Sequence, residues 1–273
     1  MTDKQIEKNS LKTSIIKHYD KLAEETAKNK TFGKPSSCCG SSAEPMVDYS
    51  SKLGYSKTDL YSIPSEAILG LGCGNPLALA ELEEGNVVLD LGSGAGFDSF
   101  LAARKVGQTG RVIGVDLSSE MVQKAVRIAH ENKFTNVEFR EADIERLPVE
   151  DSSIDVIISN CVINLAINKN NVYKEAFRAL KPGGKISISD IVATTKLPEW
   201  IKHDIELYKG CMAGCSTIDE IKEYLESNGF VDIRIDVDEN SRDVIKEWEP
   251  TGKVVDYLVS ALIQARKPEQ QNF

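Results

Sequence analysis

Six cysteines are the residues of this 273-residue chain with the most distinctive chemistry. One of them, Cys161, comes two residues after the apolar run VIIS, so we expect it at the end of a buried strand. Open parallel sheets bind their ligands outside the carboxyl ends of their strands. At that place Cys161 could be a ligand-binding thiol, or it could be a small core residue.

Two more cysteines lie in glycine-bracketed segments. Cys73 is in GLGCGNP, just before the first predicted strand of the core, and Cys211 is in YKGCMAGC, after the fifth. Glycine lets a backbone approach a ligand closely. The three positions lack the paired spacing of a structural zinc site, which indicates single thiols brought together by the fold. If YKGCMAGC is helical, Cys215 shares a face with Cys211 and is either a spare ligand or a packing residue.

A glycine-rich loop predicts a second site. VVLDLGSGAGFD places Gly92, Gly94 and Gly96 between the first strand and the next helix. Sites for NAD, FAD and S-adenosylmethionine all use such loops, and a purely structural turn is the alternative. The spacing lacks the third glycine of G-x-G-x-x-G, and Asp90 could attract a methionine ammonium group. These details favour S-adenosylmethionine.

Acidic residues at strand ends extend this predicted cofactor site. Asp116 ends the second strand about 20 residues beyond the glycines, where a carboxylate can accept from both ribose hydroxyls. Asp143 and Ile144 suit the amine and ring of adenine, although Asp143 could instead be a turn or cap residue. Asn160 could hold the methionine part or only tie the turn. The predicted cofactor-binding residues are Asp90, Gly92, Ser93, Gly94, Gly96, Asp116, Leu117, Asp143, Ile144 and Asn160.

The elements that must position these residues alternate in type. From residue 86 onward, short apolar strands alternate with amphipathic helices, which predicts βαβ units and a parallel sheet covered on both faces. We predict an α/β, Rossmann-like, doubly wound fold whose mostly parallel sheet has seven strands. LKPGGK predicts a tight turn into the fifth strand, and the late runs FVDIRIDVD and VDYLVSALIQARK could complete the sheet.

Three parts of the chain are predicted around this sheet. Residues 1–84 hold an N-terminal helix, a mobile loop with cysteines and a lead-in segment. Residues 85–196 form the cofactor-binding core. Residues 197–273 contain the segment around Cys211 and a C-terminal α+β addition that completes the sheet.

Charge and composition argue against two classes of partner. The chain has 42 acidic and 33 basic residues, a net charge of −9, and no basic stripe that would bind nucleic acid. It has no apolar run long enough to cross a bilayer. The charged N-terminus lacks the apolar centre of a signal peptide. We therefore expect a cytoplasmic protein with neither a nucleic-acid nor a membrane partner.

Several fragments together resemble one family, the arsenite S-adenosylmethionine methyltransferases. The likeness runs from about residue 14 to residue 267, and the combination of GLGCGNP, SNCVINL and GCMAG is specific to this family. Cys215 departs from the pattern, where a small residue such as alanine is more usual. The other fragments that resemble the family are SIPSEAILGLGCGNPLALA, VVLDLGSGAGFDSFLAARKVG, VIGVDLSSEMVQKA, LKPGGKISISDI and SRDVIKEWEP.

The resemblance implies a substrate and a reaction. Cys73, Cys161 and Cys211 match the family's arsenic-binding cysteines, and soft trivalent arsenic suits a set of three sulfurs. The arsenic lone pair would then attack the sulfonium methyl group of S-adenosylmethionine without a general base.

The resemblance also implies a redox partner for these thiols. An N-terminal cysteine, Cys38 or Cys39 with Cys39 favoured, would pair with Cys73 and supply two electrons. Thioredoxin or a small thiol would then reduce the disulfide.

Two other functions fit parts of the same sequence. One is a methyltransferase for a carbon, nitrogen or oxygen centre of a small organic molecule, with the cysteines as packing residues. Its activity would be insensitive to Cys161→Ser and Cys211→Ser. The other is a thiol-based metalloid-binding or zinc-binding protein whose cofactor domain is regulatory.

Overall fold

One sheet of seven strands forms the centre of the computed structural model, which describes residues 3–28, 43–249 and 251–269. The strand order is β3-β2-β1-β4-β5-β7-β6, and all neighbouring pairs up to β5 are parallel. β7 pairs antiparallel with both β5 and β6. The strands are β1 (Val87–Leu91), β2 (Arg111–Asp116), β3 (Val137–Glu141), β4 (Ile154–Asn160), β5 (Leu180–Ala193), β6 (Val231–Asp238) and β7 (Leu258–Arg266).

Helices lie on both faces of this sheet and cover its carboxyl edge. α4 and α5 follow the first two strands, as βαβ connections require. Within the described residues the α-helices are α1 (Asp3–Lys28), α2 (Ala43–Lys52), α3 (Lys57–Ser62), α4 (Phe97–Val106), α5 (Ser119–Glu131), α6 (Lys169–Ala179), α7 (Glu199–Lys202), α8 (Ile205–Lys209), α9 (Ile218–Ser227) and α10 (Ser241–Trp248).

The core consists of apolar clusters on the two faces of the sheet. In β1, Leu89 and Leu91 point into one cluster and Val88 into the other, because successive side chains of a strand face opposite sides. All three are at most 1% exposed, as a strand covered on both faces requires. The predicted doubly wound, mostly parallel fold is therefore confirmed.

The start of β5 differs from the sequence prediction. The predicted turn LKPGGK lies within β5, which begins at Leu180. Leu180 pairs with Ile154, and the register then jumps so that Lys185 pairs with Val156. The Pro-Gly-Gly segment is therefore an irregular loop inside a ladder that continues on both sides of it. Local turn signals do not reveal that Leu180 already pairs with β4.

The N-terminal helix α1 lies against α5 and α8, next to the carboxyl edge of the sheet. Ser118 at the start of α5 donates to the Asp20 carboxylate of α1 at 2.6 Å. The three-part division of the chain stays a prediction, and β6 and β7 of the third part join the same sheet as the core. Cys38 and Cys39 lie outside the described residues. None of the helices that the structure describes is long and apolar enough to span a membrane.

Candidate active site

A deep cleft opens where the carboxyl ends of β1, β2 and β4 meet, and α1 forms one of its walls. Gly96 is the only predicted cofactor-binding residue that does not line it. Gly96 instead caps α4 with a φ of 92°, where a Cβ atom would lie 2.7 Å from the rings of Phe100 and Phe139. The predicted residues that line the cleft are Asp90, Gly92, Ser93, Gly94, Asp116, Leu117, Asp143, Ile144 and Asn160.

The glycine loop leaves room for a ligand. Gly92 has a φ of 69°, and a Cβ atom there would lie 2.5 Å from the side chain of Val162. Gly94 also has a positive φ, of 51°, yet an added Cβ would meet no atom within 4 Å. Ser93 is buried, and its hydroxyl has no hydrogen-bond partner among the described residues. An open backbone beside an unpartnered hydroxyl fits a polar ligand held by this loop.

Asp116 holds the loop and keeps acceptor capacity for a ligand. Its two carboxylate oxygens accept from the Gly94 backbone N–H at 2.9 Å and from the Ser118 N–H at 2.8 Å. Each oxygen has a further lone pair, so two ligand hydroxyls can still be bound. Burial raises the pKa of this carboxyl group above its usual value.

Asp143 makes two contacts of its own. Its Oδ1 accepts from the Glu145 N–H at 3.0 Å, which is the turn role that the sequence left open. Its Oδ2 forms an ion pair with Lys12 of α1. Ile144 beside it is 8% exposed and lines the cleft. A ligand amine that used Asp143 would therefore have to share the carboxylate with Lys12.

Asn160, the last residue of β4, ties the segment around Cys73 to the sheet. Its Oδ1 accepts from the Cys73 backbone N–H at 3.0 Å, and its Nδ2 donates to the Gly74 carbonyl at 2.9 Å. The same Nδ2 lies 3.1 Å from Oδ2 of Asp98, a carboxyl group whose pKa burial raises to about 6. Asp90 accepts from the Ser99 hydroxyl at 2.6 Å in the same buried region. The turn-tying role of Asn160 is therefore present in the structure.

Three thiols meet at the end of β4. The Sγ atoms of Cys73 and Cys161 lie within 4.8 Å of each other, although the two residues are far apart in sequence. Cys211 Sγ also donates to the Cys161 carbonyl at 2.7 Å, and Cys73 Sγ lies 3.8 Å from the Ser189 hydroxyl. Cys161 and Cys211 line the cleft that holds the glycine loop. The predicted convergence of single thiols is thus what the fold produces.

Two of these cysteines have an unusual backbone conformation. Cys161 has a φ of 60° and Cys211 a φ of 61°, a left-handed region that costs a residue other than glycine about 1–2 kcal/mol. Backbone hydrogen bonds hold both, from Cys161 N–H to Ser189 O at 2.8 Å and from Cys211 N–H to Tyr208 O at 3.0 Å. Strained residues that surrounding contacts hold in place are concentrated at functional sites.

The surroundings of Cys73 and Cys161 favour their neutral thiols. Burial raises the pKa of Cys73. The hydrogen bond with Cys211 is the first cause that raises the pKa of Cys161 well above its usual value, followed by that with Cys73. The four described cysteines are free thiols. A substrate that binds by exchanging hydroxyl groups for sulfur can use neutral thiols, because each thiol proton leaves with a hydroxyl group as water.

Cys215 lies next to the cluster in a different role. α8 ends at Lys209, and residues 210–214 form turns, so the helical condition under which Cys211 and Cys215 would share a face is not met. The positive φ of Cys211 is incompatible with a continuing helix. Cys215 Sγ donates to the Cys211 carbonyl at 3.0 Å and lies 3.4 Å from Asn164 Nδ2.

Sequence reasoning missed two groups that contact this site. Tyr19 of α1 lines the cleft together with Cys211, and its hydroxyl donates to the Lys209 carbonyl at 3.1 Å. Asp190, near the end of β5, is 3% exposed, and burial raises its pKa to about 7. The Sγ atoms of Cys73 and Cys161 and a carboxylate oxygen of Asp190 all lie within 4.8 Å of one another. The available signal was the acid at a strand end in SISDI, the same signal that pointed to Asp90 and Asp116.

The cleft therefore combines two kinds of site, a glycine-rich loop with strand-end carboxylates and a cluster of soft sulfur ligands. A seven-stranded sheet with β7 antiparallel and a ligand loop after β1 define a Rossmann-like methyltransferase fold. The chain belongs to the methyltransferase domain family, which matches residues 82–229, more than half of its length.

Three relatives with which the chain shares most of its length are arsenite methyltransferases. The chain is 46% identical over 235 residues to an arsenite methyltransferase of Halobacterium salinarum, covering 86% of this chain and 60% of the relative. It is 36% identical over 232 residues to that of Aquipseudomonas alcaligenes, covering 81% and 62%. The human arsenite methyltransferase is 30% identical over 245 residues, covering 86% and 60%. The expected resemblance is confirmed, and the chain spans about three fifths of the length of these relatives.

Solved structures agree with the fold. An arsenic(III) S-adenosylmethionine methyltransferase from Chlamydomonas reinhardtii superposes with a TM-score of 0.62 at 28% identity, covering 84% of this chain and 75% of that one. A phosphoethanolamine N-methyltransferase of Haemonchus contortus, solved with S-adenosylhomocysteine, gives a TM-score of 0.63 at 22% identity. It covers 82% of this chain and 60% of its own, and it supports the fold alone.

Proposed function

We propose that this protein transfers methyl groups from S-adenosylmethionine to trivalent arsenic bound by cysteine sulfur. One observation carries the proposal: Cys161 and Cys211 line the cleft that holds the glycine loop, and the Sγ atom of Cys73 lies within 4.8 Å of that of Cys161. A methyltransferase for carbon, nitrogen or oxygen has no need of three converging thiols. The names of the relatives and of the Chlamydomonas structure support the same substrate.

The thiols bind the substrate by ligand exchange. Arsenous acid carries three hydroxyl groups, and each cysteine that binds releases one of them as water together with its own proton. Three exchanges leave arsenic on three sulfurs with its lone pair free, which is the nucleophile for methyl transfer. Soft sulfur ligands suit this metalloid better than carboxylate or imidazole would. The lone pair carries no proton, so the protein needs no base to activate it.

The residues of the cleft fit the cofactor. The unpartnered Ser93 hydroxyl and the open backbone at Gly94 can take the methionine part, with Asp90 near its ammonium group. Asp116 would accept from the ribose hydroxyls, and Ile144 would pack on the adenine ring. When bound, S-adenosylmethionine supplies an electrophilic methyl group on a positively charged sulfur.

The protein contributes position and a dry environment. Cys73 and Cys211 are 4% and 3% exposed, so arsenic held between them is shielded from water. Tyr19 of α1 lines the same cleft as Cys211. Holding two reactants in reactive geometry is one of the largest sources of rate enhancement available to an enzyme. We infer that α1 supplies part of the shielding, since it lines the cleft beside both sites.

Reduction completes the proposed cycle. Methylation formally oxidises arsenic by two electrons. When a free thiol attacks the Cys73 sulfur on the methylated arsenic, a disulfide forms, the arsenic–sulfur bond breaks with its electron pair left on arsenic, and the one proton of the incoming thiol is released. We propose that Cys39, or Cys38, forms this disulfide with Cys73 and that thioredoxin or a small thiol reopens it. A reducing compartment such as the cytoplasm suits this chemistry.

The product of the reaction tests the proposal. We expect purified protein incubated with arsenite, S-adenosylmethionine and a thiol to form methylated arsenic. Cys161→Ser and Cys211→Ser should each lose nearly all of this activity, because each removes a sulfur ligand, yet bind S-adenosylhomocysteine as the wild type does. Mass spectrometry of the arsenic species and calorimetry with S-adenosylhomocysteine give the two readouts.

Cys215→Ser is the matched control, since Cys215 contacts the backbone of Cys211 and should be dispensable for arsenic binding. Full methylation of another acceptor by both active-site variants would contradict the proposal and favour a small-molecule methyltransferase. Absence of methylated arsenic from the wild type, together with copurifying metal, would favour a thiol-based binding protein.

A further inference from the structure

Asp190 offers an unused oxygen to the thiol cluster. Its Oδ1 accepts from the Ile191 backbone N–H at 2.9 Å and from Asn164 Nδ2 at 2.8 Å. Its Oδ2 is buried and has no hydrogen-bond partner among the described residues. An unpartnered oxygen of a buried carboxyl group is costly, so its persistence calls for a donor that arrives from outside.

The geometry of the cluster places this carboxyl group with two cysteines. The ligand atoms of Cys73, Cys161 and Asp190 lie within 4.8 Å of one another. Cys211 is engaged otherwise, because its Sγ donates to the Cys161 carbonyl. The set of mutually close ligand atoms is therefore two sulfurs and one oxygen.

We propose that Asp190 is a fourth substrate-binding group, whose Oδ2 accepts a hydrogen bond from the hydroxyl that remains on arsenic when two cysteines have bound. This inference rests on the proposed function, since it needs trivalent arsenic at the thiols. The group recognised is an As–O–H donor, so the substrate class is the oxyacid of arsenic.

The steps balance without any redox change. Arsenous acid exchanges two hydroxyls for Cys73 and Cys161, and two waters leave with the two thiol protons. The third hydroxyl stays on arsenic and donates to Asp190. Cys211 then replaces that hydroxyl, and a third water leaves with its proton. Asp190 thus stabilises arsenic bound by two cysteines until the Cys211 thiol leaves the Cys161 carbonyl and binds arsenic.

An organic arsenical with fewer hydroxyl groups can show whether Asp190 binds the substrate or only supports the fold. Phenylarsonous acid has only two hydroxyls, so binding by two cysteines leaves no hydroxyl for Asp190. The parent variant Cys211→Ala halts arsenite at the two-sulfur state, with one hydroxyl left. In that parent, Asp190 should matter for arsenite and not for phenylarsonous acid.

Asp190→Asn in the Cys211→Ala parent is the test. Oδ1 is fixed by two N–H donors, so the new amide would keep its oxygen there and present N–H groups where Oδ2 stood. We expect the Kd for arsenite to rise about fivefold, the effect of losing one hydrogen bond. The Kd for phenylarsonous acid should change by less than about twofold, and calorimetry measures both.

The controls distinguish the possible failures. Asp243→Asn in the same parent, on the exposed side of α10, should change neither Kd. Three results would overturn the role of Asp190. Asp190→Asn could weaken the binding of both ligands equally, or it could weaken neither. The third result is a Cys211→Ala parent that binds no arsenite although the wild type does. A wild type that binds no arsenite would instead overturn the proposed function, and this inference with it.

Discussion

Single residues at this site have roles that their type alone does not specify. Asn160 and Asp116 both end a strand at the cleft, and each uses its side chain to hold a backbone segment. Asn160 accepts from the Cys73 N–H, whereas Asp116 accepts from the N–H groups of Gly94 and Ser118. Strand-end polar residues here fix the loops that surround the ligand and can also face it.

Replacing Asp116 should weaken cofactor binding. Asp116→Ala should weaken S-adenosylhomocysteine binding by at least about tenfold, because it removes the ribose acceptor and the support of the glycine loop. Calorimetry measures the affinity. Cys161→Ser is the matched variant, since it changes the same cleft without touching the loop and should bind normally. An affinity for Asp116→Ala equal to that of the wild type would rule out the ribose assignment.

At the scale of elements, α1 is the piece that closes the cleft. Polar contacts join it to the body at both sites, from Lys12 to Asp143 and from Tyr19 to Lys209. At its far end, Lys124 of α5 donates to the Thr26 hydroxyl at 2.5 Å. Long charged side chains from α1 and α5 thus cross an interface that also buries Ile15 and Ala23.

The buried ammonium group in this interface predicts a dependence on pH. Burial lowers the pKa of Lys124 to about 8, against an ordinary value of 10.5. The unfolded chain therefore binds this proton more tightly. As a result, the buried amine lowers the free energy of unfolding below about pH 8, and this loss disappears above about pH 10.5. Lys124→Met should raise the free energy of unfolding at pH 7 by about 1 kcal/mol.

Denaturant titrations at pH 7 and pH 9.5 check this expectation. The gain should shrink at the higher pH, because the wild-type amine has lost its proton there. Lys105→Met, which changes a lysine of α4, is the comparison variant. A gain for Lys124→Met that is equal at both pH values would show that the buried charge is not its cause.

At the scale of the whole molecule, the sheet joins two sites that the chain builds from distant segments. β1 and β2 carry the glycine loop and Asp116, and β4 and β5 carry Cys161 and Asp190. Cys73 comes from the lead-in and Cys211 from the stretch after α8. Since the strands are parallel, all of these groups reach the same edge of the sheet.

The proposed electron supply is a prediction at this scale, because it needs the N-terminal cysteines to reach Cys73. Cys39→Ser should slow arsenic methylation several-fold when thioredoxin is the reductant, since the reducible disulfide cannot form. Turnover assays with thioredoxin or with a small thiol measure the difference, which should be smaller with the small thiol. Equal rates for variant and wild type with thioredoxin would exclude Cys39, and Cys38→Ser would then test the neighbouring thiol.

Some features of this protein were predictable from its sequence because they depend on local patterns. The short apolar runs of β1 and β4, their alternation with amphipathic helices and the turn at the Gly92–Gly96 loop involve residues within a few positions of each other. The family motifs around Cys73, Cys161 and Cys211 were also readable, and with them the expectation that these thiols converge.

Other features were decided only by the tertiary structure. Asp190 beside the thiols, Lys12 on Asp143 and the start of β5 at Leu180 all depend on contacts between segments far apart in the chain. The left-handed turn at Cys211, where the sequence left a helix open, is held partly by its contact with Cys161. Local propensity contains no information about which distant partner arrives, so packing alone settles the make-up of the site.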